Sequence, residues 1–455
     1  MAVWSTLLAG KTAARISRVT GRGGGQALPG LVAERLDKNL LAKIAGRFSQ
    51  GVILVTGTNG KTTTVKLLTS MLEKKGWRVL TNSTGSNLKR GIVSAVIDKA
   101  HINGRLNYDV AVFEVDEASL RRVAGLLKPR YIVVLNLFRD QLDRYGELDT
   151  TAALIGEGIG QTEATLCLNA DDPLVANLAK YAVDPQSTVY FGVGDTVDHR
   201  PSLITATDSD RCPICHEVLV FPRIWFGHIG HYRCPKCHYK RPIPDVEVTS
   251  ISDMTTRSSR LKIKLFDHRV KVQYQLPGIY NVYNAVAAAA VAARYGVTMS
   301  TIERAMSESV PAFGRVERVA YRGRTICILL IKNPAGFAQV VQTFLQDRQD
   351  LAVLFAINDL HADGRDVSWL WDVPLEGLAG QDLAAGVTGL RRLDMALRLK
   401  YAGITAHIES DLPAAIDWLV LSRPVGSEVL ILPTYTAMNE IREVLSKHTK
   451  MEPVS

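Results

Sequence analysis

The sequence predicts an α/β protein: a phosphate-loop ATPase domain on a doubly wound, mostly parallel sheet, interrupted by a small metal ribbon and followed by a smaller Rossmann-like α/β domain. Three observations carry this. From residue 52 onward, nearly continuous apolar runs of strand length alternate with helical stretches, the pattern of strands buried on both faces. The first run, VILVT (52–56), leads into the glycine-rich segment GTNGKTTT (57–64) and a helical stretch to about Lys75. Two Cys-x-x-Cys pairs break the alternation near residue 212, and it resumes after the linker PAFGRVERV (311–319).

The 455 residues suggest two to three domains, and 47% hydrophobic with 22% charged residues is the composition of a globular chain with real cores. No apolar run reaches the roughly 18 residues of a membrane helix. The first 22 residues have a short apolar start followed by Lys11, Arg15, Arg18 and Arg22. A secretion signal has the reverse order, so these residues read as a solvated helix, with a basic amphipathic helix as the alternative. They belong to an N-terminal helical segment, 1–48, packed on an ATPase domain spanning 49–310. The chain therefore reads as cytoplasmic, with reduced cysteines. A net charge of +9 suits an acidic partner, yet no block of five like charges marks a nucleic-acid tail.

Further buried strands are expected at DVAVFEV (109–115), YIVVLNL (131–137), TLCLNA (165–170) and TVYFGV (188–193). The segment 261–276, LKIKLFDHRVKVQYQL, reads as a hairpin, and the alanine-rich run from Asn284 to Gly296 as a helix. In the last domain, 314–455, TICILLI (325–331), LAVLFAI (351–357) and VLILP (429–433) alternate with helices.

Glycines at 57 and 60 let the backbone turn tightly and aim its N–H groups at an anion, and the next helix adds its positive end. Thr58, Asn59 and Thr63 complete the cradle. Lys61 would neutralise the outer phosphates of ATP, and Thr62 would ligate Mg2+. Val55 stands where the commonest form of this loop has its first glycine. A chance Gly-Lys-Thr turn is the alternative.

Cys212 and Cys215 are separated by 18 residues from Cys234 and Cys237, within the spacing of a four-cysteine zinc ribbon, here about 205–245. Four thiolates close the tetrahedron, so the Zn2+ would be structural. A pair of disulfides or free thiols is the alternative. His216, His228, His231 and His238 lie nearby and read as surface residues rather than ligands. Cys167 and Cys327 sit in apolar runs and read as core thiols.

GTNGKTTT, Glu114 within VFEVDE (112–117), LPGIYNVYNAVAAAA (276–290) and the pair Gly314–Arg315 together resemble the Mur ligase family. Its members are the ATP-dependent amide-forming enzymes of peptidoglycan precursor synthesis and their folylpolyglutamate synthetase relatives. The resemblance implies Glu114 as a Mg2+ ligand, Asn284 facing adenine with Asn281 nearby, and Arg315 at the nucleotide. The sequence departs from the family at Gln141 in NLFRDQLDRYGE (136–147), where a histidine commonly helps hold a second metal. The short stretch before the loop also disfavours a separate UDP-binding domain.

LLIKNPAGF (329–337), INDLHADGRDVSWLWD (357–372) and LPTYTAM (432–438), with the ribbon, narrow the resemblance to the MurT branch, the ligase subunits of lipid II isoglutaminyl synthase. That implies a GatD-type glutaminase partner docked on the C-terminal domain, and lipid II as substrate at the inner face of the plasma membrane. The reaction implied is ATP-dependent amidation of the α-carboxylate of D-glutamate in the stem peptide, through an acyl phosphate, giving D-isoglutamine. It also implies that one aspartate completes the partner's Cys–His pair as a triad. Asp366 is placed in that role, with Asp363 and Asp359 as alternatives. Trp369 and Trp371 flank it, as interface anchors or as core.

Two other functions fit parts of the sequence. A folylpolyglutamate-type ligase would work without a partner. A zinc-ribbon ATPase that binds nucleic acid would show strongly salt-dependent binding. Against the latter, Phe221, Trp225, Phe226, Tyr232 and Tyr239 follow no regular stacking pattern.

Overall fold

A computed structural model describes residues 3–20, 28–82, 87–101, 105–139, 148–197, 208–310, 316–449 and 451. Among the described residues, eleven strands precede the linker: β1 (Val52–Thr56), β2 (Val79–Thr81), β3 (Val110–Glu114), β4 (Tyr131–Val134), β5 (Thr165–Asn169), β6 (Val189–Val193), β7 (Val220–Phe226), β8 (Ile229–Arg233), β9 (Val246–Ser252), β10 (Ser259–Leu265) and β11 (His268–Tyr274). Nine of them form one sheet in the order β11-β10-β9-β6-β5-β4-β1-β3-β2. From β2 to β9 every neighbouring pair is parallel.

Helices cover both faces of this parallel part, which is why its strands read as unbroken apolar runs. One face packs against the helices Lys61–Lys74 and Ile279–Arg294. The second of these is buried almost all round, and its run of alanines lets neighbouring backbones approach closely. The opposite face packs against Lys89–Lys99, Glu117–Leu127 and Leu148–Ile159. β10 and β11 extend the sheet antiparallel beyond β9. There the burial alternates: Leu261, Ile263 and Leu265 point inward, and Arg260, Lys262 and Lys264 point to water.

The N-terminal helix, Val3–Thr20, is solvated on only part of its surface. Leu7 and Thr6 are completely buried, and Leu7 joins the core cluster that contains Ile97.

After the linker, β12 (Glu317–Tyr321), β13 (Arg324–Ile328), β14 (Leu351–Ala356), β15 (Leu383–Thr388), β16 (Ala406–Ile408) and β17 (Glu428–Pro433) form a second sheet, ordered β12-β13-β17-β14-β15-β16. It is parallel except for β12 on β13, and it has an apolar cluster on each face.

β7 and β8 form a separate two-stranded hairpin between the two cysteine pairs. His216 and His238 are exposed, and each takes a left-handed φ (59° and 62°) immediately after the last cysteine-flanked turn, closing its knuckle. His228 and His231 correct the surface expectation. His228 is fully buried against the ring of Phe138, and His231 is buried with its Nε2 2.7 Å from the carbonyl of Val193. Both sit where the hairpin lies on the main sheet, so packing rather than solvent claims them.

Candidate active site

The glycine-rich loop leaves β1 beside β3 and β4, at the carboxyl edge of the parallel strands where open α/β sheets bind ligands. Gly57 (φ 127°) and Gly60 (φ 92°) hold backbone conformations that a side chain resists. A Cβ on Gly60 would also stand 2.0 Å from Asn284 Oδ1. Asn136, at the end of β4, clamps the loop from below. Its Oδ1 accepts from Asn59 N–H at 2.9 Å, its Nδ2 donates to Asn59 O at 3.0 Å, and its carbonyl accepts from Thr58 N–H at 2.9 Å.

Lys61 begins the helix and is buried. Its ammonium donates to Gly57 O at 2.5 Å and pairs with Glu117 Oε1 at 3.2 Å. Thr62 Oγ1 donates to Glu114 Oε2 at 2.9 Å. Glu114 closes β3, and Asn82 holds its backbone on both sides, accepting from Glu114 N–H at 2.9 Å and donating to Glu114 O at 2.8 Å. The two residues expected to ligate Mg2+ are therefore neighbours, and a hydroxyl beside a carboxylate suits a hard cation that takes oxygen ligands. A buried lysine over a left-handed glycine turn at a helix N-terminus suits a phosphate chain.

The helix Ile279–Arg294 presents Asn281 and Asn284 to the same cleft. Asn281 Nδ2 donates to Pro277 O at 2.7 Å, and Asn284 Nδ2 to Asn281 Oδ1 at 3.3 Å. The C-terminal sheet closes the cleft from the other side. Lys332 Nζ reaches Thr58 O at 3.4 Å, and Asn333 Nδ2 donates to Asn59 Oδ1 at 3.2 Å. Gly314, Arg315 and Gln141 lie outside the described residues.

In the ribbon, the four Sγ atoms of Cys212, Cys215, Cys234 and Cys237 all lie within 4.8 Å of one another. A tetrahedron with zinc–sulfur bonds has edges of about 3.8 Å, so the cluster has the size to hold Zn2+. Cys167 and Cys327 are buried core thiols, and burial pushes both up, Cys327 to about 12.

The aspartates of 357–372 part company. Asp363 is buried and committed, accepting from Thr436 N–H at 2.8 Å, Thr436 Oγ1 at 2.5 Å and Leu360 N–H at 3.2 Å. Asp366 is exposed and, among the described residues, accepts locally, from Ser368 N–H (2.8 Å) and Oγ (2.9 Å). Asp359 is half-buried, 3.8 Å from Arg391 Nε. Asp372 has its carboxyl pushed up, first by burial and then by Asp208 and Asp366, against the pull of Arg139. Trp369 packs into the core against Phe337, whereas Trp371 is exposed beside Tyr401.

Glu117, Asn136, Asn82, Lys332 and Asn333 carry no signal in the sequence that marks them for this site. Glu117 lies in VFEVDE (112–117), and Lys332 and Asn333 in LLIKNPAGF (329–337), but only the fold brings them to the loop.

This sheet and glycine-rich loop are those of a nucleotide-dependent ligase of the Mur ligase fold. Residues 55–217 match the Mur ligase middle domain and residues 330–438 the MurT ligase C-terminal domain. The chain is 32% identical to the lipid II isoglutaminyl synthase (glutamine-hydrolyzing) subunit MurT of Streptococcus pneumoniae, covering 97% of this chain and 96% of that protein. It is equally identical to the subunit of the same name from Staphylococcus aureus, over 98% of each. The chain belongs to the MurT family. Among solved structures, a pseudomurein peptide ligase type C from Methanothermus fervidus superposes with a TM-score of 0.71 at 24% identity, covering 90% of this chain and 81% of that one. MurF of Thermotoga maritima in complex with ADP gives 0.63 at 18%, covering 91% and 84%. These two show a shared fold. Among the described residues no helix is long and apolar enough to cross a membrane.

Proposed function

We propose that this chain is the ligase subunit that amidates the α-carboxylate of D-glutamate in the lipid II stem peptide, using ATP and ammonia from a GatD-type glutaminase. The observation that carries the reading is the convergence of Lys61, Thr62 and Glu114 at the glycine-rich loop, in a chain matched over nearly its full length by subunits of that synthase.

A carboxylate resists ammonia because its carbon is electron-rich and its oxygen leaves poorly. Transfer of the γ-phosphoryl of ATP converts it to an acyl phosphate with a good leaving group. Ammonia attacks the acyl carbon and phosphate departs. The protein's task is then mainly positioning and electrostatic stabilisation. Lys61 faces the outer phosphates from the helix N-terminus. Thr62 and Glu114 would hold Mg2+, which supplies Lewis-acid charge stabilisation when bound. Asn281 and Asn284 orient the base, and Arg315 belongs to the same nucleotide set. Lys332, carried by the C-terminal unit, adds a second cation beside the loop.

Asp366 is assigned the orienting carboxylate of the partner's Cys–His pair. An accessible carboxylate is needed for that role. Asp366 is exposed, while both oxygens of Asp363 are held inside the domain. Ammonia is mostly ammonium at neutral pH, so delivery from a docked glutaminase suits the chemistry.

The test supplies Mg-ATP, lipid II and either ammonium or glutamine, and reads the stem-peptide mass for replacement of OH by NH2. The chain alone should give product with ammonium, and with glutamine only when the glutaminase is present. Asp366→Asn should remove the glutamine route and spare the ammonium route. ATP turnover without product from either nitrogen source would overturn the assignment.

A further inference from the structure

We propose that the tip of the metal ribbon is a wall of the nucleotide-base pocket, and that metal occupancy of the ribbon and nucleotide binding are thermodynamically coupled. The inference rests on the ATP-dependent reading above and goes beyond it.

The hairpin β7–β8 starts and ends at the cysteine knuckles, so the cluster pins its base. Its strands run roughly 17 Å, five residues at strand rise, away from the knuckles. At the far end the chain turns through Phe226-Gly227-His228, and Phe226 and His228 are buried in the ATPase unit rather than in water. Phe226 lines the same cleft as Asn59, Gly60, Asn281 and Asn284. Its ring lies 5.7 Å from Phe138 at 27° and 5.7 Å from Tyr283 at 75°. Tyr283 directly precedes Asn284 on the helix, and Phe138 is latched to the loop in both directions. Phe138 N–H donates to Thr58 Oγ1 at 3.0 Å, and Thr58 Oγ1 donates to Phe138 O at 3.2 Å. Gly227 (φ 54°) allows this fit, since a Cβ there would meet the Phe138 ring at 2.8 Å.

The ribbon is also fixed to the ATPase unit at further points. Within the hairpin, Gly230 N–H donates to Asp171 O at 2.8 Å; past the last cysteine, Arg241 pairs with the buried carboxylate of Asp171, and its Nη2 donates to Val193 O at 2.9 Å. Tyr283 Oη donates to the other oxygen of Asp171 at 2.5 Å. Tyr239, two residues past the last cysteine, donates to Pro173 O at 2.8 Å. A ribbon serving only its own stability needs no aromatic tip between the phosphate loop and the asparagines of the cleft. An aromatic face at that place suits a purine ring.

Coupling follows from linkage. If the closed ribbon raises nucleotide affinity by some factor, bound nucleotide raises metal affinity by the same factor.

The test measures equilibrium binding of a fluorescent ATP analogue to the full chain, with zinc content measured in parallel. Phe226→Leu keeps an apolar side chain but removes the π face, and should weaken binding about tenfold at unchanged zinc content. Phe226→Tyr should restore it. In the wild-type protein, saturating Mg-ATP should slow zinc loss to a chelator, and zinc-stripped protein should bind the analogue correspondingly more weakly. Wild-type affinity in Phe226→Leu, together with zinc release indifferent to nucleotide, would overturn the proposal and leave the ligase reading standing. Absence of analogue binding by the zinc-loaded wild type would overturn both.

Discussion

Lys61 and Glu117 form a buried ion pair, 3.2 Å from Nζ to Oε1, at the centre of the phosphate loop. Glu117 opens the helix Glu117–Leu127, whose N-terminal end favours an anion. The lysine assigned to the phosphates thus has an internal carboxylate partner. That carboxylate holds the ammonium in place and competes with the triphosphate for it.

Glu117→Ala should therefore destabilise the nucleotide-free protein by about 3 kcal/mol, the typical cost of removing one member of a buried pair. The deficit should shrink at saturating Mg-ATP, because the triphosphate supplies the missing negative charge and binds the variant more tightly. Urea denaturation of both proteins with and without Mg-ATP checks this. An equal nucleotide-induced gain in the two would mean that Lys61 keeps Glu117 when nucleotide is bound.

Much of this arrangement was legible in the sequence because it is local. GTNGKTTT sits between a strand and a helix whatever surrounds it, and the apolar runs of β1, β3, β4, β5 and β6 are long enough to be read as doubly covered strands. The cysteine spacing carried the ribbon in the same way. What escaped depends on long-range pairing. Asn136 meets Asn59 only because β4 is parallel to β1, and Asn333 meets Asn59 only because the second sheet folds back over the loop. His228 and His231 look polar in isolation, and only the docking of the hairpin shows that they are buried.

Asn333 performs two tasks that substitutions can separate. Its Oδ1 accepts from Gly336 N–H at 2.8 Å and caps the helix Pro334–Val340, while its Nδ2 donates to Asn59 Oδ1. Asn333→Asp keeps the cap and loses the donor; Asn333→Ala loses both. Both variants should raise the KM for ATP, by about fivefold for the loss of one hydrogen bond worth about 1 kcal/mol. Only the alanine variant should also lose about 1 kcal/mol of stability through the cap. Equal melting temperatures for the two variants would refute the division.

The helix Arg392–Tyr401 carries an exposed apolar stripe. Leu393, Leu397 and Tyr401, four residues apart, are 62%, 47% and 71% exposed. Trp371 continues the stripe, its ring 5.4 Å from that of Tyr401 in a T-shaped contact. Aromatic and aliphatic groups gathered on one face suit an interface with the glutaminase, near the segment that holds Asp366. Leu393→Arg should weaken the complex at least tenfold, about 1.4 kcal/mol, as read by sedimentation or light scattering. Ammonium-dependent amidation by the chain alone should be unchanged. A complex of undiminished affinity would place the interface elsewhere.

The four ribbon thiols differ in the proton each must give up to bind Zn2+. Burial pushes Cys212 up. In Cys215 and Cys237 the backbone donors of Glu217 and Tyr239 work downward, but burial and the neighbouring thiols outweigh them. At Cys234 burial works upward and is overcome by the N–H groups of Cys237 and Lys236, with the thiols of Cys215 and Cys237 helping, so it comes down to about 7. The metal binds thiolates, so each raised thiol releases a full proton on binding, and Cys234 releases only its protonated fraction. Zinc binding to the stripped protein should therefore liberate nearly four protons at pH 6, about 3.5 at pH 7 and about three at pH 8. Zinc affinity should rise with pH across this range, and less steeply toward pH 8, where the contribution of Cys234 fades. Calorimetric titrations in buffers of different ionisation enthalpy give the proton count directly. A constant release of four from pH 6 to pH 8 would show that Cys234 titrates with the other three, and that its backbone donors do not hold the thiolate before the metal arrives.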